Sequence, residues 1–154
     1  MQKPKSRKRV LAVDFGQKRI GLAISDEQKI IASPLPNLAA SYDHKITADL
    51  LIAYIEKLKL EKGYEVEEIV VGMPLKMNGT DSTTTTSTRS FIEVLKEKVS
   101  IPVKILDERL TSVQAERSLM DANFSRKKRS QLVDSVSAVI LLQCYLDLKG
   151  CTLC

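Results

Sequence analysis

Aromatic residues are scarce in this chain of 154 residues. They make up 5% of the sequence and tryptophan is absent, so aliphatic side chains must fill the core. The scarcity argues against recognition of nucleic-acid bases by a row of stacking aromatics. The single histidine, His44, stands beside Asp43 where a helix is expected to begin. We therefore expect it to be a surface residue rather than a catalyst.

Long apolar runs and a complete cysteine ligand set are also missing. No stretch approaches the ~18 apolar residues of a membrane span, and the charged amino terminus lacks the apolar segment of a signal peptide. We expect a cytoplasmic protein with no membrane partner. Cys151 and Cys154 form an isolated C-x-x-C without further cysteine or histidine ligands nearby. We expect neither zinc nor redox chemistry there, and we expect Cys144 in the core.

Positive charge is in modest excess, with 24 Lys and Arg against 19 Asp and Glu and a net charge of +5. This balance favours a polyanionic partner, and nucleic acid is the obvious class. Much of the excess lies in two places: a basic tail at residues 1–8 and a basic block formed by Arg126, Lys127, Lys128 and Arg129. The block is the more informative of the two, because Asp134 follows it within two helical turns.

The length predicts one domain at residues 9–148, between a flexible basic tail at 1–8 and a carboxyl-terminal tail at 149–154. Apolar periodicity predicts strands at 9–15, 19–25, 30–35, 68–72 and 101–107, and helices at 45–62, 87–98, 111–121 and 126–148. We expect prolines to end the third strand and the threonine run at 83–86 to be a polar loop. The order predicts an α/β fold: a mixed five-stranded sheet with a leading antiparallel hairpin or meander and helices on both faces.

Three acidic residues stand where a carboxylate is awkward for folding. Asp14 ends an apolar strand, Glu108 follows the last predicted strand, and Asp134 lies inside the apolar stretch 132–142. Carboxylates are rare in such segments unless they are paired or bound to a cation. Three acids without a Cys/His ligand set indicate a site for Mg²⁺ or Mn²⁺. In a basic protein such a site points to metal-dependent hydrolysis of phosphodiester bonds.

Two of these assignments have alternatives. Asp107 and Glu108 are adjacent, so on a strand they point to opposite faces and we expect one of them to coordinate metal. Alternation does not choose between them because the strand ends here. Arg109 either contacts a phosphate or holds Asp107. Asp134 is alternatively a structural acid paired with Arg129 or Lys104.

Four segments carry a family resemblance. DFGQKRIGLA at 14–23 resembles the opening motif of the YqgF/RuvX family, and VGMPLKMNG at 71–79 resembles its central loop. DERLTS at 107–112 with QAE at 114–116 resembles the third motif, and DSVSAVILLQ at 134–143 resembles the last. The four motifs occur in order over roughly residues 9–147. Ser137 departs from the alanine that is usual in the family, and the threonine run replaces more helix-prone residues.

The resemblance implies an RNase H-like fold, a relation to Holliday junction resolvases, and a nuclease that processes the 5′ end of pre-16S ribosomal RNA. By motif, the catalytic and metal-binding acids fall on Asp14, Glu108 and Asp134, which favours Glu108 over Asp107. We expect nucleic-acid contacts at a set of basic residues near these acids: Lys18, Arg19, Arg109, Arg126, Lys127, Lys128 and Arg129.

Other functions remain as alternatives. One is a resolvase of four-way DNA, although an RNA precursor is the favoured partner. Another is a ribosome-assembly or transcription factor that binds nucleic acid without turnover. A sugar-kinase or actin-type ATPase half is excluded by length, because it needs a second phosphate loop and an adenosine site on another domain. A homodimer is open, since a symmetric junction resolvase needs two sites.

Overall fold

The computed structural model describes residues 8–74, 83–110 and 126–152, with the backbone alone at 110, 126–135 and 150–152. The predicted helix over 111–121 lies outside the described residues, as do Cys154 and all of the predicted basic tail except Lys8. Within the described ranges, no helix is long and apolar enough to cross a membrane.

A mixed five-stranded sheet forms the centre of the molecule. Its strands are β1 (Lys8–Phe15), β2 (Arg19–Ser25), β3 (Ala32–Ala39), β4 (Glu65–Met73) and β5 (Val103–Asp107), in the spatial order β3-β2-β1-β4-β5. The first three strands form an antiparallel meander, whereas β1 and β4, and β4 and β5, run parallel. The predicted mixed sheet with a leading meander is confirmed.

Helices cover both faces of this sheet. They are α1 (His44–Lys62), α2 (Thr83–Lys98) and α3 (Arg126–Thr152), with a short 3₁₀ helix at Glu108–Leu110 after β5. Apolar side chains form two clusters, one toward α1 and α2 and one toward α3. Strand β1 is buried on both sides, since Leu11 and Val13 join the first cluster whereas Val10 and Ala12 join the second. The predicted helices on both faces are confirmed.

The prediction that prolines end the third strand is wrong. Strand β3 runs through Pro34 and Pro36 to Ala39, with Pro34 paired to Ala23 of β2. It is an edge strand, where half of the backbone N–H groups face away from any neighbour, so proline is tolerated there. Residues 30 and 31, predicted to begin the strand, form a turn in which both backbone N–H groups donate to the Asp26 carboxylate.

The threonine run is helical, contrary to the prediction of a loop. Helix α2 begins at Thr83, four residues earlier than predicted. Thr85 and Thr88 are fully buried, and their hydroxyls donate to the carbonyl oxygens of Pro74 and Thr84. The low helix propensity of threonine is a weak preference, and here tertiary packing overrides it.

Candidate active site

The carboxyl ends of three parallel strands bring the two described acids to one edge of the sheet. Asp14 is the penultimate residue of β1, and Glu108 directly follows β5, with β4 between the two strands. Both acids are buried, with exposed fractions of 7% for Asp14 and 3% for Glu108. In α/β sheets this edge is where ligands commonly bind.

Asp14 and Glu108 also lie on the same face of the sheet. Val10 and Ala12 pack toward α3, and side chains alternate along a strand, so Asp14 continues that row. Leu106 packs in the same cluster, and Glu108 follows it by two residues. The face covered by α3 therefore carries both carboxylates.

Gly72 of β4 lies between them. Val71 pairs with Val13, so the next step along the strands places Gly72 beside Asp14, and on its other side Gly72 pairs with Leu106. A methyl group added to Gly72 would lie 2.7 Å from Glu108 Oε1. The Glu108 side chain is thus folded over the backbone of β4, toward the strand that bears Asp14. Neighbouring strands are about 4.8 Å apart, and Glu108 reaches over the one strand that separates it from β1.

Gly72 was predicted to end the fourth strand and to lie in the motif that resembles the family's central loop, with no role in the site. A glycine inside an apolar strand is a known signal of a bulge or of close approach by another group, and that signal was available. The same added methyl group would lie 3.1 Å from Leu141 Cδ2 of α3. Because Gly72 has no side chain, both Glu108 and helix α3 can approach the backbone of β4 closely at this position.

Helix α3 supplies small residues to this face. Ser137, Ala138 and Leu141 are buried against the sheet, as the sequence predicted for the side that carries Asp134. Position 134 precedes Ala138 by one turn and Leu141 by two, so the helical repeat places it on the same side of α3. The side chain of Asp134 is outside the described residues, and so are its alternative pairings with Arg129 and Lys104. Among the described side chains, no group of three or more metal-ligating residues converges.

Asp107 is in a different setting from its neighbour Glu108. Its carboxylate accepts hydrogen bonds from Arg109 Nε at 3.0 and 3.1 Å, from Arg109 Nη2 at 2.6 Å and from the Arg109 backbone N–H at 2.9 Å. These bonds from the guanidinium, followed by its positive charge, lower the pKa of Asp107 below the usual value although partial burial opposes the shift. The structure shows Arg109 holding Asp107, and its contact with a phosphate stays a prediction.

The predicted nucleic-acid contacts fall at three places on the fold, one of which is Arg109 after β5. Lys18 is exposed in the turn between β1 and β2, and Arg19 is exposed at the start of β2, at the same edge as the buried acids. Gly16 makes this turn possible, because a methyl group there would lie 2.6 Å from the Arg19 carbonyl oxygen. The basic block forms the first turn of α3, where the backbone alone is described. Its side chains stay a prediction.

Known proteins similar to this chain were found by sequence and by structure. A family model described as "RuvX: Holliday junction resolvase" matches residues 8–148. A protein of Protochlamydia amoebophila (strain UWE25) named "Putative pre-16S rRNA nuclease" is 47% identical over 145 residues, covering 94% of this chain and 96% of the relative. A protein of the same name from Koribacter versatilis (strain Ellin345) is 42% identical, covering 92% and 88%.

A solved structure with a similar fold is "T. thermophilus RuvC in complex with Holliday junction substrate". Its TM-score is 0.52 at 14% sequence identity, and the superposition covers 93% of this chain and 96% of that one. At this identity the likeness concerns the fold alone. It agrees with the RNase H-like architecture that the motif resemblance implied.

Proposed function

Because this chain belongs to the RuvX family of Holliday junction resolvases, we propose that it is a divalent-metal-dependent endonuclease that processes the 5′ end of pre-16S ribosomal RNA. One observation carries the catalytic part of the proposal. Asp14 and Glu108 are buried on one face at the carboxyl ends of their strands, and Glu108 folds over Gly72 toward Asp14. The names of the relatives supply the substrate, and with it we expect the protein in the cytoplasm.

The donor set fits a hard divalent cation. Two buried carboxylates delivered by rigid strands offer oxygen ligands, which Mg²⁺ and Mn²⁺ prefer. We assign Asp14, Glu108 and Asp134 as the residues that would hold the ion, and Asp107 to the support of Arg109. The ion would supply activation of water and stabilisation of the leaving oxygen.

The chain itself contributes orientation and charge around the reaction. Buried carboxylates accept hydrogen bonds from the attacking water, which adds to phosphorus while the bond to the leaving oxygen breaks. Basic side chains hold the flanking phosphates and fix the register of the strand without reading its sequence. For this role we propose the residues predicted from the sequence: Lys18, Arg19, Arg109, Arg126, Lys127, Lys128 and Arg129.

The test is a cleavage assay with two substrates. Purified protein is incubated with labelled pre-16S precursor RNA and with four-way DNA, each with Mn²⁺ and with EDTA. We expect cleavage of the RNA that requires metal. Asp14→Asn should lose ~10³-fold or more in rate, as removal of a metal ligand costs several kcal/mol of transition-state stabilisation. Asp49→Asn is the matched control, because Asp49 is an exposed acid of α1 paired with Lys98.

Each other outcome identifies an alternative. Cleavage of four-way DNA alone would make the protein a junction resolvase, and its mass in solution should then be that of a homodimer. Binding of both substrates with no metal-dependent cleavage would make it a binding factor. Unchanged cleavage by Asp14→Asn would contradict the assignment of the acids.

Melting curves test the metal independently of turnover. Carboxylates held close together repel until a cation binds. Mg²⁺ should therefore raise the melting temperature of the wild-type protein by ligand linkage, and raise that of Asp14→Asn less. In EDTA the variant should melt at or above the wild-type temperature. A variant that is clearly less stable in EDTA would instead favour a structural ion pair at Asp14.

A further inference from the structure

A groove of about 480 Å³ opens at the end of β1, on the face opposite to the acids. Phe15 directly follows Asp14 and packs with the cluster toward α1 and α2, so the groove and the acids share one edge of the sheet. Side chains from the β1–β2 turn, from the segment before α1 and from the start of α2 line it, among them Phe15, Lys18, Tyr42, His44, Thr83 and Ser87. Its size falls within the range of small-ligand sites, about 300–1,000 Å³.

One wall of the groove is aromatic and rigid. The ring of Phe15 stacks on that of Phe91 with centroids 4.6 Å apart, and Phe91 is fully buried. The His44 ring packs edge-on against Phe15 at 5.6 Å. In a chain with few aromatic residues, three rings meet beside this groove.

Tyr42 adds a fourth ring at the rim, and it is wholly exposed. A single exposed ring is ordinary, but the two residues that precede this one have hydrogen-bonded backbone N–H groups. The Ala40 N–H donates to the Lys18 carbonyl at 2.9 Å, and the Ser41 N–H donates to the Thr47 hydroxyl at 2.9 Å. The ring is therefore presented to solvent on a fixed backbone, which lowers the entropy cost of binding a partner.

The polar groups of the groove match the edge of a base and its phosphate. His44 Nδ1 is buried and has no hydrogen-bond partner among the described residues. A ring nitrogen donates or accepts according to its tautomer, and the hydroxyls of Thr83 and Ser87 do both. Lys18 brings a positive charge to the same groove. Rings for stacking, groups of both hydrogen-bonding kinds and a cation together suit a nucleotide.

We infer that this groove binds one unpaired nucleotide of the substrate strand beside the scissile phosphate. The base stacks on Tyr42, its edge meets the hydroxyls of α2 beside the His44 ring, and Lys18 contacts its phosphate. A base within a duplex is paired and stacked on its neighbours, so only a single-stranded nucleotide fits. This inference rests on the proposed nuclease function, since that function supplies the strand.

Binding of single-stranded oligonucleotides in EDTA tests the groove without cleavage. Short labelled RNA and DNA strands are used, together with a series in which one abasic position is moved along the strand. Stacking of bases on aromatic side chains supplies much of the affinity for single strands. Tyr42→Ala should therefore weaken binding of the intact strands about tenfold, whereas Tyr42→Phe retains the ring and should bind like wild type.

The abasic series and a control variant make the result specific. With the abasic position at the groove, Tyr42→Ala and wild type should bind equally, because the base that stacks is gone. Leu60→Ala removes another exposed apolar side chain, near the other end of α1, and should leave binding unchanged. An equal loss of affinity for RNA and DNA in Tyr42→Ala would show that the base alone is recognised. A larger loss of affinity for RNA would show that the 2′-hydroxyl is contacted as well.

Three results would overturn the inference. The affinity of Tyr42→Ala could be unchanged, its loss of affinity could be equal at every abasic position, or its loss of affinity could be equal on a duplex. Because Tyr42 is exposed, a melting curve should show that the variant folds as wild type does. The assay is also independent of the acids. If metal-dependent cleavage persists while the stacking effect is absent, the groove inference fails alone. If no substrate is cleaved but the stacking effect is present, the proposed nuclease function fails alone.

Discussion

Both ends of the sheet beneath α3 carry buried or partly buried acids. The groups that surround these acids differ between the two ends. At one end Glu68 of β4 accepts hydrogen bonds from the Tyr145 hydroxyl and from Lys149 Nζ, the latter at 3.1 Å. At the other end Asp14 and Glu108 share one face over Gly72. The first acid is bound by a hydroxyl and a cation from α3, whereas the other two flank Gly72 of β4.

The difference distinguishes the part of α3 that is hydrogen-bonded to the sheet from the part that packs against Gly72. In the carboxyl-terminal half of α3, Gln143 binds the backbone of the β2–β3 turn through Ile30 O and Ala32 N, in addition to the contacts with Glu68. These contacts fix the helix over one end of the sheet. Earlier along the helix, Leu141 packs against Gly72, and Ala138 joins the same apolar cluster.

The largest expected effect sets Glu108 against Glu68. Glu108→Gln should reduce Mn²⁺-dependent cleavage by ~10³-fold, because a ligand to the ion is lost, while the melting temperature in EDTA is kept or raised. Glu68→Gln should keep the cleavage rate and lower the melting temperature, since the charge that Lys149 pairs with is removed. Similar rate losses in the two variants would erase the distinction between the ends.

A smaller effect is expected at Gly72, which lies only at the end that carries Asp14 and Glu108. Gly72→Ala places a methyl group against Glu108 Oε1 and Leu141 Cδ2, so the carboxylate must move. We expect cleavage to fall by about 10–100-fold, and stability by about 1–3 kcal/mol from overpacking. In Glu108→Gln the same substitution should have little further effect on the rate, because both changes act through one carboxylate. Additive losses of rate would contradict this account.

The basic residues of α3 provide a third contrast. Neutralising Lys127 and Lys128 together should make log K for single-stranded RNA less steep in log salt, by about one unit per lost phosphate contact. Lys149→Ala, at the fastened end, should leave the slope unchanged since Lys149 pairs with Glu68. Affinities measured between ~50 and ~200 mM salt give both slopes. An unchanged slope in the double variant would show that the basic block faces solvent.

The smallest effect is expected at Tyr145. Burial and then the hydrogen bond to Glu68 raise the pKa of the Tyr145 hydroxyl well above its ordinary value. The stabilisation that the protonated Tyr145 hydroxyl contributes is therefore present below about pH 10, the pKa of an unfolded tyrosine. It is lost as the pH rises through the pKa of this hydroxyl in the folded protein. Tyr145→Phe should cost about 1–2 kcal/mol of unfolding free energy at neutral pH and flatten the decline at alkaline pH, without a change in cleavage rate. Denaturant melts across that pH range check both.

Much of the fold follows from patterns within single segments. Apolar periodicity predicted the strand at 9–15, which is part of β1, and the helix at 45–62, which the structure begins one residue earlier and ends at the same residue. Patterns of this kind gave wrong predictions where contacts with another element determine the local structure. Proline is accepted in β3 because the strand lies at an edge, and threonine is accepted in α2 because its side chains are buried and hydrogen-bonded.

The candidate site shows the same division. That Asp14 and Glu108 stand at the ends of two strands follows from the sequence alone, because alternation and strand length are local properties. The fold was needed to place Glu108 over Gly72 and to bring Phe15, Tyr42 and His44 to one groove. Those relations join segments far apart in the chain, and periodicity within one element carries no information about which side chain of another element will lie against it.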